Sequence, residues 1–219
     1  MKKGFTLAEV LITLGIIGVV AAITMPALIA NYQKQQTIVS LKKAYTVLNQ
    51  AFTMAQIENG DFAEWSPDDG RTYLFSTLRG SQCADMDTAY AQALMAAEGT
   101  PTNLFNNSSC FQLNDGMKVF HLSSTTSENY NHAIYVLDIN GKKAPNIRGR
   151  DVFSFYILYS VSSAWANGSV GATGCSFSFK KLGLYACGTD RSGCTTTNDN
   201  SCFGRIIQDG WAIKDDYPW

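Results

Sequence analysis

The chain has 219 residues, 46% of them hydrophobic and only 16% charged, with 17 basic against 18 acidic side chains and a net charge of −1. That length suits one globular domain plus an extra element, and the balance offers no basic stripe of the kind nucleic-acid binders carry. Two histidines, His121 and His132, are too few for a histidine-rich metal centre.

The N-terminus carries the strongest signal. Val10 to Gln33, a run of 24 residues, holds no charged side chain. A bilayer's apolar core needs about 20 residues of helix. Lys2 and Lys3 precede the run, so the positive-inside bias leaves the N-terminus in the cytoplasm and the body on the far side. Three readings fit: a secretory signal cut after Val20-Ala21-Ala22, a plain single-pass anchor, or a leader cut ahead of the apolar segment, which then stays attached. Glu9 separates them. A carboxylate carried towards the bilayer centre costs roughly 2.5–3.5 kcal/mol, and a signal peptide or anchor has no use for it. If cleavage follows Gly4, Phe5 gains a free amine, and Glu9 can pair with the Phe5 amine of a neighbouring copy in apolar surroundings.

The run Lys2-Lys3-Gly4-Phe5-Thr6-Leu7-Ala8-Glu9-Val10-Leu11-Ile12 resembles the leader and first mature residues of type IV prepilins and type II secretion pseudopilins. The resemblance implies a prepilin peptidase that cuts between Gly4 and Phe5 and methylates the Phe5 amine. It makes Glu9 the assembly residue, and Pro26 sits where the family often has a proline. It further implies a bacterial inner-membrane protein, single-pass, with its head on the extracytoplasmic side. The expected partners are the peptidase, other pilin or pseudopilin subunits, an inner-membrane assembly platform, and membrane lipid before assembly. No nucleic acid is expected. Loss of Lys2 and Lys3 with the leader leaves 15 basic against 18 acidic residues, a net charge of −3. The motif reaches only to about residue 30.

Beyond Asn31 the chain turns polar but keeps a helical rhythm. Ile38, Leu41, Tyr45, Leu48, Phe52 and Ala55 recur three or four apart, one apolar stripe on a helix that Asn59-Gly60 ends. The expected organisation is a leader over 1–4, a membrane and assembly helix over 5–30, its amphipathic continuation over 31–58, and a globular head over 59–219. In the head, 84–97 reads as a helix. Phe111–Asn114 and Met117–Leu122 read as strands joined by a two-residue turn at Asp115-Gly116. Ala133–Ile139 and Val152–Val161 follow as strands, Ser176–Tyr185 holds one or two more, 189–200 reads as loop, and Cys202–Gln208 as a short helix. The fold class is α+β: a long helix packed on an antiparallel sheet, pilin-like, with a disulfide-tied C-terminal region. The final Tyr217-Pro218-Trp219 is expected to dock on the head, where Trp211 and Ile213 also need cover.

All six cysteines lie after residue 80: Cys83, Cys110, Cys175, Cys187, Cys194 and Cys202. None forms a C-x-x-C pair, so zinc-ribbon and thioredoxin readings lack their spacing. An even count behind an export signal suggests disulfides, with Cys194–Cys202 and Cys175–Cys187 favoured by proximity and Cys83–Cys110 left over. Six cysteines allow 15 connectivities.

No enzyme motif appears: no G-x-S-x-G, H-E-x-x-H or P-loop. Each histidine reads as a surface or hydrogen-bonded residue, and a membrane-anchored exported enzyme is the disfavoured class. Asp138, Asn140 and Asp151 could offer oxygens to Ca²⁺, and some pseudopilins bind calcium in sheet loops. The spacing departs from an EF-hand: glycine stands fourth, Lys142 and Lys143 follow, and no terminal glutamate appears. A turn held by Asx hydrogen bonds, with no cofactor, is the expected state. The sequence thus points to a structural subunit, a minor one by its loop-rich, cysteine-tied head, of a type IV pilus or type II secretion pseudopilus. The alternative is a tip adhesin or DNA-uptake subunit using the same leader.

Overall fold

A computed structural model of the chain describes residues 4, 6–83, 110–126, 128–141, 143, 146–162, 169–172, 175–178, 183–186, 194 and 202–219. The chain falls into two compact units, Met1–Thr37 and Ile38–Trp219. Helix α1 covers Leu7–Asn59 and continues through Pro26, which has no N–H to donate to the preceding turn.

In the second unit the head begins where the stripe of α1 becomes buried. Leu41, Ala44, Leu48 and Ala55 are wholly buried, and Ile38, Ala51 and Phe52 nearly so. Tyr45 is only half-buried. Ala44 and Ala51 complete the stripe, small residues that permit close approach. A 3-10 turn over Phe62–Glu64 follows, then α2 over Pro67–Thr77. This helix is not among the elements the sequence predicts. Its start is a capping box: the Asp69 N–H donates to Ser66 Oγ at 3.1 Å, and the Ser66 N–H donates to Asp69 Oδ2 at 3.2 Å. Pro67 at the first helical position needs no donor there. Gly70 lets α2 sit down on the sheet, because a Cβ there would lie 2.1 Å from the Tyr159 hydroxyl.

The strands are β1 (Gly80–Gln82), β2 (Cys110–Leu113), β3 (Lys118–Thr126), β4 (Tyr130–Asp138), β5 (Val152–Val161), β6 (Ser169–Ala172), β7 (Cys175–Ser178) and β8 (Gly183–Ala186), followed by α3 (Cys202–Gln208). Among the described residues, six strands form one antiparallel sheet in the order β1-β2-β3-β4-β5-β8, and β6 pairs with β7 separately. The expected helix over 84–97 lies outside the described residues, as does the expected loop over 189–200 apart from Cys194.

Two boundaries differ from the sequence reading. The β2–β3 connection has three residues, not two: the Leu113 N–H donates to the Met117 carbonyl at 2.8 Å, and Gly116 takes φ +92°. The left-handed residue completes a three-residue hairpin loop. Strand β3 also runs past Leu122 to Thr126, across a register shift between His121 and Ser123, so its polar second half still pairs with β4.

One sheet face joins α1 and α2 in the main core, through Val119, Tyr135, Leu137, Phe153, Phe155, Ile157 and Tyr159. The opposite face is buried too, at Ile134, Val136, Tyr156 and Leu158. Burial on both faces explains why β5 reads as an almost unbroken apolar run. Tyr135 stacks on Phe155 with centroids 4.9 Å apart. Lys43 of α1 pairs with Asp115 of the β2–β3 loop at 2.8 Å.

The C-terminal segment docks around α3. Tyr217 is buried, and its hydroxyl donates to the Gly149 carbonyl. Trp211 lies edge-on to Tyr45 with centroids 5.6 Å apart. Arg205 is the buried hub: Nη1 donates to the Cys194 carbonyl at 3.0 Å, and Nη2 reaches the Asp216 carbonyl at 2.9 Å and its carboxylate at 2.7 Å. Cys83 is bonded to Cys110 and Cys194 to Cys202. The expected Cys175–Cys187 pair lies outside the described residues, since neither side chain is among them.

Candidate functional site

The N-terminal unit holds Gly4, Glu9 and the apolar part of α1. Gly4 precedes α1 and is exposed, whereas Phe5 lies outside the described residues. From Leu7 onwards the helix is long and apolar enough to cross a membrane, and none of its most apolar 18-residue window is buried in the chain itself. Leu11, Ile16, Ile17 and Val19 are each about 60% exposed. The polar side chains inside this stretch are satisfied locally: Thr13 Oγ1 donates to the Val10 carbonyl and Thr24 Oγ1 to the Val20 carbonyl, each at 2.9 Å. Such bonds meet the demand of an apolar medium that polar groups be paired within the segment. A Cβ on Gly15 or Gly18 would meet nothing within 4 Å, so both glycines leave open surface of the kind that lets membrane helices approach.

Glu9 stands in the first turn of α1, where a negative charge suits the helix dipole. Its Oε2 accepts from the Thr6 N–H and from the Thr6 hydroxyl, both at 2.8 Å. In return the Glu9 N–H donates to Thr6 Oγ1 at 3.3 Å. Thr6-Leu7-Ala8-Glu9 is thus a capping box. The T-x-x-E spacing ahead of an apolar run is the sequence signal for Thr6 as the capping residue.

The second polar cluster lies between β4 and β5. The structure brings Asp138, Asn140 and Asp151 together. Asp138 Oδ1 accepts from the Asn140 N–H at 3.1 Å. Asp151 Oδ2 accepts from Asn140 Nδ2 at 3.0 Å and from the Asn146 N–H at 2.8 Å, while Oδ1 accepts from the Ile147 N–H. Asn146 takes φ +50°, a conformation asparagine tolerates. These bonds describe an Asx-held turn. Asp138 Oδ2 and Asn140 Oδ1 are buried and accept no hydrogen bond from the described residues. Burial, and then the neighbouring Asp151, push the Asp138 carboxyl up to about 7, against the opposing Asn140 N–H. Retaining its proton lets this carboxyl remain buried.

Of the two placements the sequence suggested, surface or hydrogen-bonded, His121 takes the second, and neither histidine is at the surface. His121 is on β3 and His132 lies within β4, and both are buried. Each sits in a strand whose two faces are covered, so neither side chain reaches water. His121 Nε2 lies 2.8 Å from Ser124 Oγ. Burial pushes both down to about 4, with Arg71 adding to the effect on His121.

These shifts have opposite signs in stability. Each histidine has its folded pKa below its unfolded value. Its contribution is present above about 6.5 and lost as pH falls towards 4, by up to about 3 kcal/mol per residue. Asp138 has its folded pKa raised. Its contribution is present below about 3.8 and lost as pH rises through 7. Asp151, raised by burial, acts in the same sense as Asp138. Acidification therefore loses histidine stability and regains carboxyl stability. In Asp138→Asn, unfolding between pH 7 and 4 should show a steeper loss of stability than in the parent. An equal or shallower slope would contradict this assignment.

Residues 27–219 match the family of unknown function (DUF6613), and residues 1–25 match the prokaryotic N-terminal methylation motif. No curated protein and no solved structure matches the chain. The leader is that of type IV pilin-like and pseudopilin-like substrates, which a peptidase processes and which assemble with other pilin subunits. The chain belongs to the family of unknown function (DUF6613), whose domain it carries behind a prepilin-type leader.

Proposed function

We propose that the chain is a structural subunit, a minor component of a type IV pilus or type II secretion pseudopilus, and not an enzyme. A prepilin peptidase cuts it between Gly4 and Phe5 and methylates the Phe5 amine. It rests in the inner membrane by α1, head outside, until an assembly platform adds it to a filament. Glu9 then pairs with the Phe5 amine of a neighbouring subunit. The observation that carries this reading is the methylation motif over residues 1–25, at the start of a helix whose most apolar 18-residue window is unburied among the described residues. A head tied by disulfides supports the minor role.

The test is recovery of the tagged chain from the native bacterium. It should appear in the sheared filament fraction, and disappear from it when the prepilin peptidase is inactivated. Release as a soluble protein in both strains would contradict the reading.

A further inference from the structure

The turn between β4 and β5 is also the ledge on which the C-terminal segment rests. Tyr217 is buried, and its hydroxyl donates to the Gly149 carbonyl. A Cβ on Gly149 would lie 3.1 Å from Cys202 Sγ and 3.3 Å from the Tyr217 hydroxyl, so α3 and the chain end both press on this one residue. Beside it, the Arg150 guanidinium lies 5.4 Å from the centre of the Trp219 ring. Asp151 shapes the ledge: its carboxylate accepts from Asn140, Asn146 and Ile147, and its carbonyl accepts from the Ile139 N–H at 2.9 Å.

Asn140 ties two carboxyls together, its N–H bonded to Asp138 and its side-chain amide to Asp151. Asp138 is wholly buried at the end of β4, with Lys118 opposite it on β3 and Val152 on β5. Buried Arg148 and half-buried Arg150 lie in the turn, and Lys143 is exposed. The β2–β3 loop, whose Gly116 carbonyl packs on Gly141, brings Asp115 with its partner Lys43. Among these charges it is Asp151 that bears on Asp138, adding to burial itself in favouring the neutral carboxyl. Once Asp138 ionises, two like charges share one asparagine in a buried turn, which is unfavourable. Asp138 is pinned by the ladder on both sides, so the turn is the part that yields.

We propose that Asp138 and Asp151 form a pH-sensitive latch: while Asp138 keeps its proton the turn holds the C-terminal segment, and ionisation of Asp138 opens the turn and frees Tyr217 to Trp219. This concerns the head alone and stands apart from the assembly reading. The sign follows from a carboxyl whose folded pKa, about 7, exceeds its ordinary value. Docking is favoured below that pH and weakens above it, by up to about tenfold per pH unit.

The test is hydrogen exchange of the full-length, oxidised, detergent-solubilised chain at pH 6 and 8, with and without EDTA, read by mass spectrometry and corrected for the intrinsic effect of pH. Protection over residues 209–219 should fall about tenfold between the two, while strand β5 stays within about twofold. Asp138→Asn keeps an acceptor for the Asn140 N–H but cannot ionise, and should abolish the fall. Tyr217→Phe keeps the buried ring and loses only the hydroxyl, which keeps the test decisive if Asp138→Asn does not fold. Its 209–219 protection should already be reduced at pH 6, while residues 146–151 still respond to pH. A flat parent profile would overturn the proposal, as would parent-like protection of Tyr217→Phe at pH 6. So would a parent-like response in Asp138→Asn, an equal fall in β5, or a response that EDTA abolishes. Another group, global unfolding or a bound metal would then be setting the turn.

Discussion

Glu9→Ala is expected to be cleaved, inserted and oxidised like the parent, yet to be missing from filaments. Within one subunit the carboxylate does little beyond capping: its bonds are to Thr6, three residues away, and it is exposed. The Thr6 hydroxyl still accepts the N–H of residue 9 in the variant, so the helix keeps its start. In a filament the apolar faces of neighbouring helices exclude water, and the positive Phe5 amine needs a counter-charge. Removing one member of such a pair leaves the other buried and unpaired, the costly outcome. Incorporation should fall on the order of a hundredfold or more, measured as protein in sheared filaments against protein in membranes. Parent-like incorporation would make the carboxylate incidental.

Arg205→Met should be the most damaging single change in the head among those that leave its apolar core untouched. Only 6% of the Arg205 side chain is exposed, and it links the Cys194 carbonyl, the Asp216 backbone and carboxylate, and Asp209 at 3.8 Å. Its guanidinium also lies 5.6 Å from the centre of the Tyr217 ring. Methionine fills similar volume but strands those acceptors. Asp209 keeps Lys214 at 2.9 Å, so the loss falls chiefly on the C-terminal segment and on Cys194. The expected cost is about 3 kcal/mol, from the Cys194 and Asp216 carbonyls each losing a charged donor, since the Asp216 carboxylate is 63% exposed and stays hydrated. Arg205→Lys should recover only part of it, because an ammonium cannot span the same acceptors as a planar fork. Urea unfolding of the detergent-solubilised chain, followed by tryptophan fluorescence, reads the effect. A change below about 0.5 kcal/mol, the size of an ordinary surface substitution, would contradict the hub assignment.

Periodic and covalent signals were legible in the sequence. The stripe from Ile38 to Ala55 works as spacing alone implies, because helix geometry fixes which residues share a face. Strands β4 and β5 stood out through β-branched and aromatic residues, and proximity in sequence found the Cys194–Cys202 bond. What stayed hidden depends on tertiary partners. Strand β1 is three exposed residues, Gly80–Gln82, with no alternation, and exists because it pairs with β2. The polar end of β3, Ser123 to Thr126, is a strand only because β4 lies beside it. Helix α2 was a different kind of miss: Ser66-Pro67-Asp68-Asp69 announces a capped helix locally, but its weakly apolar body hid the signal. Burial of His121 and His132 follows from cover on both sheet faces, which one strand's sequence does not reveal. At the N-terminus the motif named Gly4, Phe5 and Glu9 as residues to test, while Thr6 emerged only from its bonds to Oε2.

Mass spectrometry of the mature N-terminus, on protein taken from its membranes, tests the central claim most directly. The expected chain begins at Phe5 and carries one methyl group on its amine. A chain beginning at Ile23, after Val20-Ala21-Ala22, would contradict assembly through α1 and leave the apolar segment a simple export signal.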